Sequence, residues 1–259
     1  MNFALEVRQR SEVVGAFAEK LRAAIASAGG KVVEDDGERP DLVLAVGGDG
    51  TVLAAAQRAL TNDVPILGFN LGTMGFLAEA EPTDLDQVIT RLLAGDYDVS
   101  ERMTVKATID HASVTGVNDV VVEKVDSQRL IHLDVSVDDE RFLTYRADGL
   151  IVATPTGSTA YSFSARGPLV DPVLSALILT PVAAHSLFDR TLVLPPASRL
   201  SIMVGRDRPV KVTVDKIDMG HLGAGRTVEI EQGERPMRFV RFRPRPFPRL
   251  ITDKFGLDR

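Results

Sequence analysis

The sequence contains no cysteine among its 259 residues. This absence excludes disulfides, thiolate metal sites and a cysteine nucleophile, and it is typical of the reducing cytoplasm, where we expect this chain to act. Long uncharged apolar runs, a secretory leader pattern and lipidation motifs are also lacking, so we expect no membrane partner. The net charge of −6 leaves no excess of basic residues, which argues against nucleic acid as a partner. Acid–base or metal chemistry therefore falls to carboxylates.

The most informative segment reads Val-Leu-Ala-Val-Gly-Gly-Asp-Gly-Thr, at residues 43–51. Its apolar part predicts a buried strand at Leu42–Val46, and Thr51–Leu60 is rich in helix formers, so the glycines lie at a strand-to-helix turn. The N–H groups of such a turn favour an anion, and glycine permits positive φ and close approach of the backbone to a phosphate. No lysine follows the loop, which argues against an ordinary Walker-type ATPase.

Asp49 is the carboxylate inside this loop, and it has two interpretations. A bare carboxylate would repel a phosphate, so Asp49 could orient a hydroxyl nucleophile or hold a magnesium ion that bridges to the phosphates. It could equally cap the following helix, since Asp is a favoured N-cap residue. The loop alone leaves both interpretations open.

Residues 1–97 are predicted to form a doubly wound, Rossmann-like α/β domain. Apolar residues at helical spacing predict helices at Ser11–Ala28 and Leu85–Leu93, and short apolar runs predict strands, including Val64–Phe69. Strand, helix and strand in this order indicate parallel βαβ units, whose ligands lie at the carboxyl ends of the strands.

Residues 98–232 are predicted to form an all-β domain, because short, β-branched and often alternating segments replace the helical pattern after Asp96. We expect the tail, residues 233–259, to pack back on the first domain. Its basic part, Arg235–Arg249, alternates charged and apolar residues, and we interpret it as a half-exposed strand rather than a polyanion site.

A turn dense in hydroxyl groups follows the apolar run Leu150–Ala153. Hydroxyls and N–H groups at a helix start suit sugars and phosphates, and the ring of Tyr161 could stack on a base. The alternative is a polar connection whose Ser and Thr side chains cap the next helix. The pair Asn118–Asp119, between apolar runs, is by itself typical of a turn.

Taken together, four ordered motifs resemble those of the NAD kinase family. They are Gly-Gly-Asp-Gly-Thr at 47–51, Asn-Leu-Gly-Thr-Met-Gly-Phe-Leu at 70–77, Asn-Asp at 118–119 and Asp-Gly-Leu-Ile-Val-Ala-Thr-Pro-Thr-Gly-Ser-Thr-Ala-Tyr at 148–161. The first motif is shared with lipid kinases and 6-phosphofructokinases, whereas the hydroxyl-rich run is specific. The resemblance spans the chain and implies the two-domain architecture of the NAD kinase and diacylglycerol kinase superfamily.

The resemblance implies transfer of the γ-phosphoryl group of ATP, or of polyphosphate, to the 2′-hydroxyl of the adenosine ribose of NAD, with Mg²⁺ or another divalent cation. It implies Asp49 as general base, and a homodimer or homotetramer, because relatives take some NAD contacts from a neighbouring subunit. It places the ATP phosphates at Gly47, Gly48, Gly50 and Thr51. It places NAD contacts at Asp49, Gly50, Asn118, Asp119, Arg129, Arg146, Asp148, Thr159, Ala160, Tyr161, Ser162 and Ser164.

Two positions differ from many relatives of that family. Ala54 stands where many carry a basic residue, and Lys216-Ile217 follows Asp215 where many read Gly-Gln or Ser-Gln. These differences bear on affinity and on discrimination between NAD and NADH. The alternative functions are a lipid or other small-alcohol kinase of the same superfamily and a nicotinamide-nucleotide sensor without turnover.

Overall fold

A computed structural model describes residues 1–8, 11–34, 37–72, 75–126, 128–205 and 208–257. Thr73 and Met74, in the second of the four motifs, lie outside the described residues. The chain forms two compact units. One comprises Met1–Glu101 together with Met237–Arg259, and the other comprises Arg102–Pro236.

The first unit is built on one six-stranded sheet. Its strands are β1 (Asn2–Val7), β2 (Lys31–Val33), β3 (Leu42–Val46), β4 (Ile66–Phe69), β5 (Asp98–Arg102) and β18 (Met237–Arg241), and its helices are α1 (Glu12–Ser27), α2 (Asp49–Asn62), α3 (Leu85–Ala94) and α5 (Phe247–Phe255). The strand order is β2-β1-β3-β4-β18-β5. The pairs β1–β2, β1–β3, β3–β4 and β4–β18 are parallel.

Helices cover both faces of this sheet. Leu42, Leu44 and Val46 pack in one apolar cluster with residues of α1 and α3. Val43 and Ala45 alternate with them along β3 and therefore point to the opposite face, which α2 covers with small side chains. The arrangement confirms the predicted doubly wound α/β fold, and it puts the turn that follows β3 at the carboxyl edge of the sheet.

The second unit contains two six-stranded antiparallel sheets. The first has the order β10-β9-β14-β17-β6-β7 and the second β13-β12-β11-β8-β15-β16. Their bounds are β6 (Val105–Ile109), β7 (Ala112–Gly116), β8 (Asp119–Lys124), β9 (Ile131–Val137), β10 (Glu140–Ala147), β11 (Gly149–Ala153), β12 (Leu177–Val182), β13 (Leu192–Leu194), β14 (Leu200–Val204), β15 (Val210–Val214), β16 (Ile217–Leu222) and β17 (Thr227–Gln232).

The two sheets pack face to face around one apolar core. Leu133 and Ile202 of the first sheet share this core with Val122 and Val152 of the second. The residues between β11 and β12 form a short 3₁₀ turn at Thr156–Thr159 and a one-turn helix, α4 (Tyr161–Ser164). Some of them pack on the outer face of the second sheet. The β-sheet-rich second domain is confirmed, with this short helical segment added to it.

Some element ends differ from the sequence-based predictions, by one residue at α1 and α3 and by more at three other places. Helix α2 begins at Asp49, not Thr51, because the N–H of Thr51 already bonds the carbonyl of Gly48, 2.8 Å away. Strand β4 begins at Ile66, because the N–H of Val64 donates instead to the carbonyl of Ala59, near the C-terminal end of α2. The prediction that Arg235–Arg249 forms one half-exposed strand holds only for Met237–Arg241. The strand stops at Arg241, and prolines without N–H groups lead into α5.

Candidate functional site

The glycine turn after β3 is shaped by Gly47. Its φ of +147° belongs to the glycine-favoured region, and a Cβ there would lie 2.4 Å from Oγ1 of the buried Thr51. Gly48 and Gly50 do not have positive φ angles, so of the three glycines only Gly47 uses that conformational freedom. An added Cβ at either would meet no atom within 4 Å, which leaves the backbone open to approach from outside.

The carboxylate of Asp49 does not cap α2. Gly48 is the N-cap residue, and among the described residues no side chain makes a capping hydrogen bond at this N-terminus. The carboxylate instead accepts the N–H of Phe76 at Oδ2 (2.8 Å) and the N–H of Leu77 at Oδ1 (3.1 Å). A Cβ at Gly75 would lie 2.0 Å from Oδ1 of Asp49, so only glycine lets this loop come so close. The capping alternative is therefore wrong, and the structure fixes the carboxylate against a second loop.

A buried ion cluster lies beside that second loop. The Glu79 side chain is 2% exposed and accepts Nη1 of Arg241 at 2.9 Å and Nη1 of Arg245 at 3.4 Å. Burial lowers the pKa of Arg241, while the negative charges of Glu79 and Asp49 oppose that shift. The sequence alone does not predict this cluster, because Arg241 and Arg245 lie within a basic stretch that resembles a solvated strand.

In the second unit, Asn118 and Asp119 lie where β8 begins, against the turn that follows β11. The N–H of Thr154 donates to the carbonyl of Asn118 (2.8 Å), and a Cβ at Gly157 would lie 2.0 Å from that carbonyl oxygen. The pair and the hydroxyl-rich turn, distant in sequence, are thus brought together. Two buried oxygens here, Oδ1 of Asn118 and Oγ1 of Thr156, find no hydrogen-bond partner among the described residues. Such orphaned acceptors are uncommon and point to a ligand or ordered water.

Asp215 anchors the Asn118–Asp119 pair from the hairpin that joins β15 to β16. Its buried carboxylate accepts the N–H groups of Val117, Asn118 and Asp119 at 2.5, 2.8 and 3.2 Å. Burial raises the pKa of Asp215, and these three donors oppose the rise by favouring the charged form. Both Asp215 and Lys216 have positive φ (49° and 71°). This role of Asp215 is not visible in the sequence, because the N–H groups that it accepts lie almost a hundred residues away.

Asp119 is 7% exposed, and its pKa is raised to about 7. Burial is the largest cause, the negative charge of Asp215 adds to it, and the positive charge of Lys216 acts in the opposite direction. At neutral pH its carboxyl group is therefore present in both forms, so it can donate as well as accept a hydrogen bond.

The residues after the turn that are predicted to contact NAD fall into two groups, those that are at least partly exposed and those whose hydroxyl groups bond within the protein. Tyr161 is 40% exposed, and partial burial together with the charges of Glu123, Asp148 and Asp119 raises the pKa of its hydroxyl. Ser164 is exposed and Ala160 half-buried. In contrast, the Ser162 side chain is buried against Thr180 (Oγ to Oγ1, 2.9 Å), and the hydroxyl of Thr159 bonds the carbonyl of Thr156. The last two hydroxyls thus have partners within the protein.

The three remaining predicted contact residues are Asp148, Arg129 and Arg146. The carboxylate of Asp148 accepts Nζ of Lys124 at 2.6 Å. Arg129 is exposed and lines, with Lys124 and Arg208, a cavity of about 360 Å³. Arg146 is exposed on β10.

The described residues contain no group of three or more His, Cys, Asp or Glu side chains arranged to hold a metal ion. Over the same part of the chain, no helix has both the length and the apolar character needed to cross a membrane.

Comparison with known proteins gives one consistent result. The sequence model of the ATP-NAD kinase N-terminal domain matches residues 9–97, and that of the ATP-NAD kinase C-terminal domain matches residues 117–242. An NAD kinase of Heliobacterium modesticaldum is 42% identical over 226 residues, covering 85% of this chain and 80% of the relative. An NAD kinase of Thermococcus sibiricus is 43% identical over 210 residues, covering 81% and 76%.

Two solved structures share the fold. Yeast NADH kinase complexed with NADH superposes with a TM-score of 0.90 over 99% of this chain and 87% of the other, at 24% identity. An NAD kinase from Archaeoglobus fulgidus in complex with ATP gives a TM-score of 0.80 over 99% of each chain, also at 24% identity.

Proposed function

The chain belongs to the ATP-NAD kinase family, and we propose that its Asp49 takes the proton of the 2′-hydroxyl of the adenosine ribose of NAD as that oxygen attacks the γ-phosphorus of ATP. A P–O bond forms to the ribose oxygen, the bond from the γ-phosphorus to its bridging oxygen breaks, and NADP and ADP result. The observation that carries the proposal is the carboxylate of Asp49, held by two backbone N–H groups beside an open glycine turn.

The two N–H bonds support Asp49 as the base, because they orient the carboxylate and leave some of its acceptor positions free. An ionised carboxylate offers about four acceptor positions, and the N–H groups of Phe76 and Leu77 use one on each oxygen. The remaining positions can accept a hydroxyl proton. Phosphoryl transfer requires positioning and charge neutralisation more than covalent chemistry, so one oriented carboxylate is a sufficient protein base.

We assign the phosphates of the donor to the turn formed by Gly47, Gly48, Gly50 and Thr51. Open space around Gly48 and Gly50 permits close backbone approach, and the first turn of α2 favours negative charge. Inorganic polyphosphate presents similar anions and is the alternative donor.

Mg²⁺ or another divalent cation belongs to the same proposal. Mg²⁺ usually binds through one or two carboxylates together with substrate phosphates and water, and Asp49, whose carboxylate lies beside the phosphate turn, can supply such a ligand. When bound, the cation would neutralise charge on the transferring phosphoryl group.

We assign NAD to the second unit, chiefly through Asn118 and Asp119. The unpaired Oδ1 of Asn118 and Oγ1 of Thr156 offer buried acceptors, and Asp119 can donate as well as accept. Tyr161 presents an exposed ring for stacking. The further contacts proposed are Gly50, Arg129, Arg146, Asp148, Thr159, Ala160, Ser162 and Ser164. A homodimer or homotetramer and a cytoplasmic location remain predictions from the sequence.

The experiment that tests this function is a coupled assay of purified protein with Mg²⁺, NAD and either ATP or polyphosphate, in which an NADP-specific dehydrogenase reports NADP. Asp49→Asn should lower turnover by about 10²–10⁴-fold, the usual cost of losing a general base. Asp86→Asn is the matched control, since Asp86 is the acidic residue in the first turn of α3.

Unchanged turnover in Asp49→Asn would show that Asp49 is not the general base. NAD binding by the wild type without NADP formation would favour the sensor, and ADP release that depends on diacylglycerol rather than NAD would favour a lipid kinase.

A further inference from the structure

We propose that Arg241 is a positioning residue for Asp49: its bond to Glu79 holds the segment Phe76–Glu79, and this segment aims the carboxylate. The inference rests on the proposed function only in taking Asp49 as the reacting carboxylate. These four residues are called the 76–79 segment.

The 76–79 segment faces Asp49 with its N–H groups and faces the arginines with its other polar groups. The N–H groups of Phe76 and Leu77 donate to Asp49 at 2.8 and 3.1 Å. The carbonyl of Ala78 accepts Nη1 of Arg245 at 2.8 Å, and that of Leu77 has a longer contact, 3.5 Å, with Nη1 of Arg241. Every residue from Phe76 to Ala78 is therefore tied to a charged side chain.

Glu79 joins this segment to the last strand of the sheet. Its carboxylate accepts Arg241, Arg245 and the N–H of Phe242 (3.3 Å), while its own N–H bonds the carbonyl of Gly68 at 3.0 Å. The segment is thus fixed on one side by β4 and on the other by the residues at and just after the end of β18.

The ion pairs of this arrangement are largely buried. The side chains of Glu79, Arg241 and Arg245 are 2%, 12% and 18% exposed. Removing one partner of a buried ion pair leaves the other charge uncompensated, which is strongly unfavourable. We therefore expect loss of Arg241 to displace Glu79 and the segment that carries it. Two arginines against Glu79 and Asp49 also give a balanced set of charges, and Asp49 is close enough to contribute to the electrostatics of Arg241.

The test compares Arg241→Gln with Arg238→Gln, a control on the same strand whose guanidinium bonds Asp63 instead (2.7 Å). Arg241→Gln should lower kcat by roughly ten- to a hundredfold, the scale of a small misplacement of a reacting group, with little change in the KM for NAD. Arg241→Lys keeps the charge without the planar fork and should recover part of the loss. It also serves as the readable variant if Arg241→Gln does not fold.

Two further readouts separate positioning from a general structural role. In an Asp49→Asn background, Arg241→Gln should cause no further loss of kcat, because residues that act through one group are not additive. Hydrogen exchange of a peptide that contains Phe76 and Leu77 should be faster in Arg241→Gln, and in Arg241→Lys, than in Arg238→Gln.

Additive losses in the double variant, or equal exchange in the Arg241 and Arg238 variants, would overturn the inference. If the wild type forms no NADP, the proposed function fails, and the exchange measurement still decides whether Arg241 holds the segment.

Discussion

Gly75→Ala provides a sharp test of how Asp49 is held. The three atoms nearest to the added Cβ all belong to Asp49: Oδ1 at 2.0 Å, Cγ at 2.5 Å and Oδ2 at 2.8 Å. Because ordinary contacts begin near 3.4 Å, the carboxylate must retreat by more than about 1 Å and lose its bonds from Phe76 and Leu77. A misplacement of this size costs about 10²-fold in rate, or roughly 2.7 kcal/mol in the barrier.

The assay is kcat for NADP formation together with the thermal midpoint of unfolding. Gly72→Ala is the matched control in the same loop, since a Cβ there meets no atom within 4 Å. In a protein that already carries Asp49→Ala, adding Gly75→Ala should leave the thermal midpoint of unfolding unchanged. The Asp49 atoms that the new Cβ would contact are absent from that protein. Wild-type kcat in Gly75→Ala, or an equal effect of Gly72→Ala, would refute the proposed geometry.

Two further predictions concern the second unit. Because the folded-state pKa of Asp119 is raised to about 7, the folded protein binds more protons than the unfolded chain between about pH 4 and 7. Stability should therefore fall as pH rises through this window, by at most roughly 4 kcal/mol. Urea unfolding at pH 5 and pH 8 should show a larger fall in wild type than in Asp119→Asn, where the raised pKa of Asp215 still contributes a fall of the same sign. Equal falls in the two proteins would contradict the prediction. Asp215→Asn places an amide NH₂ group against the N–H donors of Val117 and Asn118. NAD binding, measured by calorimetry, should therefore weaken about tenfold or more. Asp218→Asn, at an exposed aspartate of the next strand, is the control. Unchanged affinity would show that Asn118 does not depend on this anchor.

Much of the fold could be predicted from local pattern. The five buried residues of β3 and the apolar spacing of α1 are signals carried by neighbouring residues. Strand β7 was missed because its Ala112–Gly116 sequence is mostly small and polar, and α5 was missed because three prolines precede or begin it. Both elements depend on packing partners that the local sequence does not show.

The candidate site was predictable to the extent that a residue's chemistry is local. A carboxylate inside a glycine turn is visible in the sequence, so Asp49 could be singled out, although the same local pattern also fits a helix cap. The roles of Glu79, Arg241 and Asp215 could not be predicted, because each bonds groups far away in the chain. An arginine in a buried ion pair and an arginine on a solvated strand have the same local sequence pattern.

The place of β18 in the first sheet determines when that sheet can be completed. This strand lies between β4 and β5, but the whole second unit precedes it in the chain. At about 5–20 residues per second, the ribosome needs roughly 7–30 seconds to make residues 102–236 before Met237–Arg241 can emerge. During that interval β4 presents an open edge, which is a template for pairing with other chains. A nascent or truncated chain that ends before residue 237 should therefore aggregate through its first unit, whereas the second unit, continuous in sequence, can fold as soon as it is made.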